Sequence, residues 1–210
     1  MKTIKWLLFV LPVLMAACTS SKVTSSWKDP AASKDLTQFK NILVVGMQPN
    51  NRQLKEEMEN YLTEDLKKKG VTATASFDAF GPKAFAKQTD DQIADMVRKK
   101  GYDGVITIAL LDKQNEKSYV PGNVNYTPVG VYYSRFGRYY STIYDRIYTP
   151  GYYSTSTDYF WETNFYDARA DKLVYSAQSK SFDPSSITSM SKDYGKLIVT
   201  DLTEKGLIDK

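Results

Sequence analysis

Residues 39–47 read FKNILVVGM, and Ile42-Leu43-Val44-Val45 at their centre is an unbroken apolar run. A run this short, with no polar residue inside it, predicts a strand buried on both faces, as in a parallel sheet between two layers. The next residues fit that reading. Asn50 or Asn51 can cap a helix with Glu56 and Glu57 near its positive end. Leu54, Met58, Tyr61, Leu62 and Leu66 fall on one helical face, and Lys67-Lys68-Lys69 with Gly70 close it. Val71, Ala73, Ala75 and Phe77 then alternate with Thr72, Thr74 and Ser76, which predicts a second strand. A loop over residues 78–87, with room for one helical turn, leads to Thr89-Asp90-Asp91-Gln92, which has capping-box spacing. That box opens a helix burying Ile93, Met96 and Val97, and residues 104–111 (GVITIALL) form a third strand. Strand, helix, strand, helix, strand at these lengths predicts right-handed crossovers and a parallel core.

Beyond Lys113 the composition changes. Thirteen of the 16 tyrosines lie between Tyr119 and Tyr175, interleaved with Gly, Ser, Thr, Pro and arginines. Residues 129–133 and 139–143 predict a hairpin turning at Phe136-Gly137, and Pro121-Gly122 and Thr149-Pro150-Gly151 mark further turns. We read about 119–157 as an insertion projecting from the domain. Residues 159–166 and 172–180 then predict a second hairpin turning through Asp167–Asp171. Asp183-Pro184-Ser185-Ser186 opens a last helix lined by Ile187, Met190, Tyr194, Leu197, Ile198 and Leu202, with Gly206 at its end. The expected class is α/β: a βαβαβ half, a β-hairpin and a C-terminal helix forming one mixed sheet, plus a tyrosine-rich β insertion. One such domain occupies 37–210.

The N-terminus carries an address. Lys2 and Lys5 precede an uncharged stretch running to Ala17, and small Ala16 and Ala17 stand before Cys18. A charged head, a short apolar run and small residues at a cut site make a secretory signal over 1–17. The run of about 14 residues is shorter than the roughly 17–25 of a spanning helix. Leu14-Met15-Ala16-Ala17-Cys18 resembles the lipobox of bacterial lipoproteins, which implies lipid on Cys18 and a membrane anchored through it. A cleaved signal with an incidental cysteine, or an uncut anchor, are the alternatives. Residues 18–36 then read as a lipidated flexible tether rich in Ser and Thr, although Val23–Trp27 also suits a short edge strand with Trp27 packed back on the domain. Thr19 does not resemble the aspartate that retains such lipoproteins in the inner membrane, so the resemblance implies the outer membrane, facing the periplasm.

Composition narrows the chemistry. The chain has no histidine, and its one cysteine is assigned to lipid. This removes histidine-based acid–base catalysis, the usual triads, His- or Cys-ligated zinc and any intrachain disulfide. Carboxylate chemistry, a Ser–Lys pair, or binding without catalysis remain, and binding is favoured; no cofactor is expected. A net charge of +4, half of it from Lys2 and Lys5, gives no case for nucleic acid. Gly46 lacks the following residues of a nucleotide loop. Asp78, Asp103 and Asp112 could stand near the ends of parallel strands, where α/β sites form, but they read more simply as loop aspartates.

The order of parts resembles a group of bacterial envelope lipoproteins. The residues that carry this are the lipobox, Ser25-Ser26-Trp27, Phe165-Tyr166-Asp167, Leu173-Val174-Tyr175-Ser176-Ala177 and Leu207-Ile208. Their domain is similar to the α/β module of the TolB N-terminal domain, the curli-channel lipoprotein CsgG and the penicillin-binding-protein activator LpoB. The resemblance implies contact with other envelope proteins and carries over no catalytic residues. The candidate binding surface is therefore aromatic and cationic: Tyr132, Tyr133, Arg135, Arg138, Tyr139, Tyr140 and Tyr144. Tyrosine gives large, fairly rigid contact area with a polar tip, and arginine stacks or pairs with carboxylates. An envelope protein or a glycan would be the partner. The plainer reading of the same residues is cross-strand tyrosine pairing that stabilises hairpins.

Overall fold

In a computed structural model of the chain, residues 21–31, 35–48, 51–82, 85, 88–120 and 152–209 are described. The elements run β1 (Ser21–Lys28), a 3-10 turn (Leu36–Gln38), β2 (Ile42–Gly46), α1 (Arg52–Lys68), β3 (Ala73–Ala75) and α2 (Ser76–Phe80). They continue with α3 (Asp90–Lys99), β4 (Gly104–Val120), β5 (Tyr152–Asp167), β6 (Lys172–Phe182) and α4 (Ile187–Glu204). The strands make one six-stranded sheet in the order β1-β6-β5-β4-β2-β3. β2 is parallel to β3 and to β4, and the remaining pairs are antiparallel. The α/β fold with one mixed sheet and a C-terminal helix is thus the fold observed.

The chain leaves β2 toward β3 on one side and returns to β4 on the other. Crossovers of one hand that run in opposite directions must lie on opposite faces. Accordingly, Ile42 and Val44 pack with Leu54, Met58 and Leu62 of α1 and with Tyr194 and Ile198 of α4, whereas Leu43 packs with Val97 and Tyr102. The larger cluster continues through Ile106, Ile108, Trp161 and Phe165. Each fully buried side chain of this size contributes about 1.5–3 kcal/mol. α1 and α4 lie so close that a Cβ on Gly195 would stand 3.1 Å from the Tyr61 carbonyl oxygen, so glycine permits the contact. The caps are local, as expected: Asn51 Oδ1 accepts from the Leu54 N–H at 3.0 Å, and Thr89–Gln92 forms the reciprocal box.

Five expectations need correction. The tether reading of 18–36 fails over Ser21–Lys28, which is an edge strand antiparallel to β6. Its serines are specific rather than linker-like: Ser21 Oγ donates to Ser181 Oγ at 2.9 Å and Ser26 Oγ to Asp201 Oδ1 at 3.0 Å. Trp27, though, does not pack back on the domain; it is 45% exposed. The second strand stops at Ala75, because Ser76 opens α2. The third strand does not stop at Leu111 but continues to Val120, paired throughout with β5, so regular structure reaches into the stretch expected as insertion. Finally, Leu197 is half-buried, and Ile198 beside it is the core residue.

Candidate interaction surface

The two faces of the sheet are unlike. Along β5, Trp161, Thr163 and Phe165 point to the helix side and are buried, with Thr163 Oγ1 bonded to the Tyr194 hydroxyl. The alternate residues Phe160, Glu162, Asn164 and Tyr166 point the other way and are half-buried. Register extends that second face across the sheet. Trp27 lies opposite Ser176, which lies opposite Asn164, which lies opposite Thr107; in the next row Ser25, Gln178, Glu162 and Ala109 align. Asn164 Nδ2 and Gln178 Nε2 both donate to the Glu162 carboxylate, at 3.0 and 3.5 Å. A third row holds Lys22, Lys180 and Phe160, with the Lys180 ammonium 5.0 Å from the Phe160 ring centre and 4.5 Å from that of Phe182. Among the described residues, no helix packs over β1, β6 and β5 on this side. The result is a mixed aromatic and polar face with an exposed tryptophan at its edge.

From one end of this sheet β4 and β5 continue alone. The last pairing of β5 with β6 is Asp158 to Phe182, whereas β4 and β5 stay in register from Asn115 opposite Thr157 to Val120 opposite Tyr152. Residues 111–119 are all exposed. An isolated two-stranded ribbon is only marginally stable in water. This arm is held at its base by the sheet and along its length by Thr157 Oγ1 donating to Asn115 Oδ1 at 3.0 Å. Farther out, the Tyr119 and Tyr153 rings pack with centroids 5.2 Å apart. Both tyrosines remain more than half exposed. A bulge between Leu110 and Asp112 marks where the arm leaves the core.

The carboxyl ends of the parallel strands hold a different arrangement. Glu59, fully buried, accepts from the Gly46 N–H at 2.7 Å, Ser76 Oγ at 2.7 Å and the Phe77 N–H at 2.8 Å, and pairs with Lys55. Lys55 Nζ also donates to Ser76 Oγ at 2.8 Å. Although this is a Ser–Lys pair, the Ser76 hydroxyl gives its proton to Glu59 and is 1% exposed, which suits a clamp rather than a nucleophile. The same node crowds the glycine after the first strand, since a Cβ on Gly46 would stand 3.1 Å from Lys55 Cγ and 3.3 Å from Glu59 Oε1.

The three strand-end aspartates do not converge. Asp103 lies before β4, at the opposite end from Asp112, accepting from the Lys40 and Asn41 N–H groups at 2.9 Å and pairing with Arg169 at 2.9 Å. Asp112 accepts from the Lys113 N–H beside the bulge, and Asp78 sits exposed in α2. An open concavity of about 320 Å³ between α1 and α4 is lined by Glu57, Asn60, Tyr61, Glu64 and Thr188 and gathers no convergent donors. Among the described residues, no group of three or more His, Cys, Asp or Glu could hold a metal ion, and no helix is long and apolar enough to cross a membrane.

Cys18 and the sequence-predicted surface, Tyr132, Tyr133, Arg135, Arg138, Tyr139, Tyr140 and Tyr144, lie outside the described residues, as does the hairpin expected over 129–143. The open sheet face is not visible in the sequence because its edge strand β1 pairs with β6 more than 140 residues along the chain. One signal was present: phenylalanine, tyrosine and tryptophan occupy both alternating faces of 159–166.

No family model matches the chain, and no curated protein matches it. Solved structures similar to it include the PelC dodecamer from Paraburkholderia phytofirmans, 10% identical, at a TM-score of 0.44 over 85% of this chain and 94% of that one. Lipoprotein GNA1162 from Neisseria meningitidis is 13% identical at 0.43 over 78% and 98%, respectively. A neuraminyllactose-binding hemagglutinin homolog from Helicobacter pylori is 10% identical at 0.29 over 87% of each chain. At likenesses this low, neither function nor partner is transferred.

Proposed function

We propose that this chain is a lipid-anchored protein of a bacterial envelope that works by contact, without catalysis. Acyl chains on Cys18 hold it to the membrane, the outer membrane on the periplasmic side, and its α/β domain belongs with the TolB N-terminal, CsgG and LpoB modules. The partner is an envelope protein. The observation that carries the contact reading is the open sheet face with Trp27 at its edge, 45% exposed and on the same side as Phe160, Tyr166 and the Glu162 cluster. Exposed tryptophan among satisfied polar groups matches the composition of interface hot spots. Glycan binding is the second reading, supported by the exposed tyrosine rings of the arm, which can stack on sugars.

The test is affinity capture from intact envelopes with Trp27→Ala beside the natural chain, run in parallel with a glycan array. Loss of one specific protein in Trp27→Ala, with an unchanged melting curve, supports the reading. Equal capture by both chains sinks the sheet-face reading. Metabolic lipid labelling of Cys18→Ser checks the anchor, and undiminished label in that variant refutes it.

A further inference from the structure

The sheet fixes where the N-terminus enters relative to the arm. β1 begins at Ser21, three residues after Cys18. Three residues of chain reach at most about 11 Å in any conformation. Ser21 stands opposite Ser181, Ser181 opposite Tyr159, and Tyr159 opposite Lys113, so these four residues form one row across β1, β6, β5 and β4. β4 runs on past that row from Lys113 to Val120, and β5 returns to it from Tyr152. The arm therefore projects from the end of the sheet at which β1 enters. Seven residues at about 3.4 Å each carry it roughly 24 Å beyond the row. That is about twice the longest link available between an anchored Cys18 and the sheet.

A domain held this closely cannot keep the arm clear of the bilayer while its strands run along the membrane normal, because the strand ends at Val120 and Tyr152 would pass the headgroups. The exposed side chains suit such contact. Tyr119 and Tyr153 are 56% and 75% exposed, and phenol rings favour the membrane–water interface. Lys113 and Lys117 are balanced by Asp112 and Glu116, so the described residues of the arm carry no net charge. We infer that the β4–β5 arm is a second membrane contact, with Tyr119 and Tyr153 at headgroup depth in the bilayer that holds the acyl chains of Cys18. This rests on the anchor reading given under Proposed function and names a lipid surface as the arm's own partner, leaving the sheet face free for protein.

The test uses the full lipidated chain on vesicles of phosphatidylethanolamine and phosphatidylglycerol. Cys18 carries its lipid as a thioether, so a nitroxide can be placed alone at Tyr153→Cys, at Ser118→Cys, or at Asp171→Cys in the turn at the far end of the sheet. Collision with oxygen relative to a nickel chelate should be severalfold higher at 153 and 118 than at 171. Equal ratios at all three positions overturn the inference, as does a label at 153 that is immobilised yet as open to nickel as 171, which would assign the arm to another protein chain. Mass spectrometry of the N-terminus reads the anchor separately. With lipid present and equal ratios, the arm contact alone fails; with lipid absent, the anchor reading fails and takes the arm contact with it.

Discussion

The backbone N–H of Gly46 donates to Glu59 Oε1 at 2.7 Å, tying the last residue of β2 to the middle of α1. The same carboxylate receives the Phe77 N–H at the start of α2 and the Ser76 hydroxyl. One side chain thus joins three elements at the carboxyl edge of the parallel strands. Removing one partner of a buried pair costs about 3–5 kcal/mol, because the others are left unsatisfied. Glu59→Ala should lower the free energy of unfolding by an amount in that range, read as a lower denaturant midpoint at unchanged slope. A midpoint unchanged by the substitution would mean that water or neighbouring groups replace the carboxylate fully.

Tyr175 donates to Asp201 Oδ2 at 2.6 Å, while Ser26 holds the other carboxylate oxygen at 3.0 Å, so α4, β6 and β1 meet at one acid. Burial, and then the Asp201 carboxylate, push the Tyr175 phenol well above the ordinary tyrosine range. Tyr194 moves the same way through burial. The folded-state values are raised, so the stability they protect is complete below the unfolded value of about 10. It drains as pH rises beyond that point, because the unfolded chain then releases protons that the folded chain keeps. Tyr175→Phe should cost about 1–3 kcal/mol at neutral pH and flatten the alkaline limb of the stability curve. An alkaline limb as steep as that of the natural chain would count against the assignment.

Asp29 follows the opposite sign. Lys172, chiefly through a hydrogen bond, and then the Ala31 N–H hold its carboxyl below the usual range. The contact fastens the end of β1 to the start of β6. A lowered folded value gives stability that is present above the unfolded value of about 3.9 and is lost as pH falls below it. The stability gap between the natural chain and Asp29→Asn should therefore narrow on acidification from about pH 6 to about pH 3. A gap that is constant with pH would show that the charge of Asp29 contributes nothing.

The arm should be separable from the core. Among the described residues, β4 pairs with no strand but β5 between Asn115 and Val120, and residues 111–119 are exposed. Closure entropy grows only with the logarithm of loop length. Replacing 116–156 by a short Gly/Ser turn should shift stability by no more than about 0.5–1 kcal/mol. Thermal melting reads this directly, and unfolding or aggregation of the shortened chain would place the arm in the fold.

The last helix offers a sharper comparison. Ile198 is completely buried whereas Leu197 is half-exposed. Ile198→Ala should cost about 2–5 kcal/mol and Leu197→Ala clearly less. Equal losses in parallel denaturation curves would contradict the orientation of α4.

Much of the fold was legible because its signals are local. The apolar run at Ile42–Val45, the Asn51 and Thr89 caps and the stripe of α1 each depend on residues within one or two turns of each other. What was not legible depends on distant partners. Ser21–Lys28 has the composition of a linker and becomes a strand because β6, more than 140 residues away, supplies the ladder and Asp201 takes Ser26. Ser76 leaves the alternating pattern to start α2 because Glu59 waits on another helix. Residues 112–118 show no strand pattern in apolar residues, since both faces of the arm meet solvent and nothing selects one side. The open sheet face around Trp27 is assembled from three strands, so no single window displayed it.

The bulge at Leu110–Asp112 also decides which chemistry the arm shows on each side. Before it, Ile106, Ile108 and Leu110 face the helices; after it, the parity inverts, and Lys113, which pairs with Tyr159, starts a series running through Asn115, Lys117 and Tyr119 on that same side. Inserting a single residue after Asp112 would shift the register by one and turn Gln114, Glu116 and Ser118 to the side now held by lysine and tyrosine. No buried side chain would need to change. A one-codon insertion at the root of the arm, outside the core, thus exchanges a cationic aromatic surface for an acidic one, so the arm can be re-addressed in evolution independently of the domain that carries it.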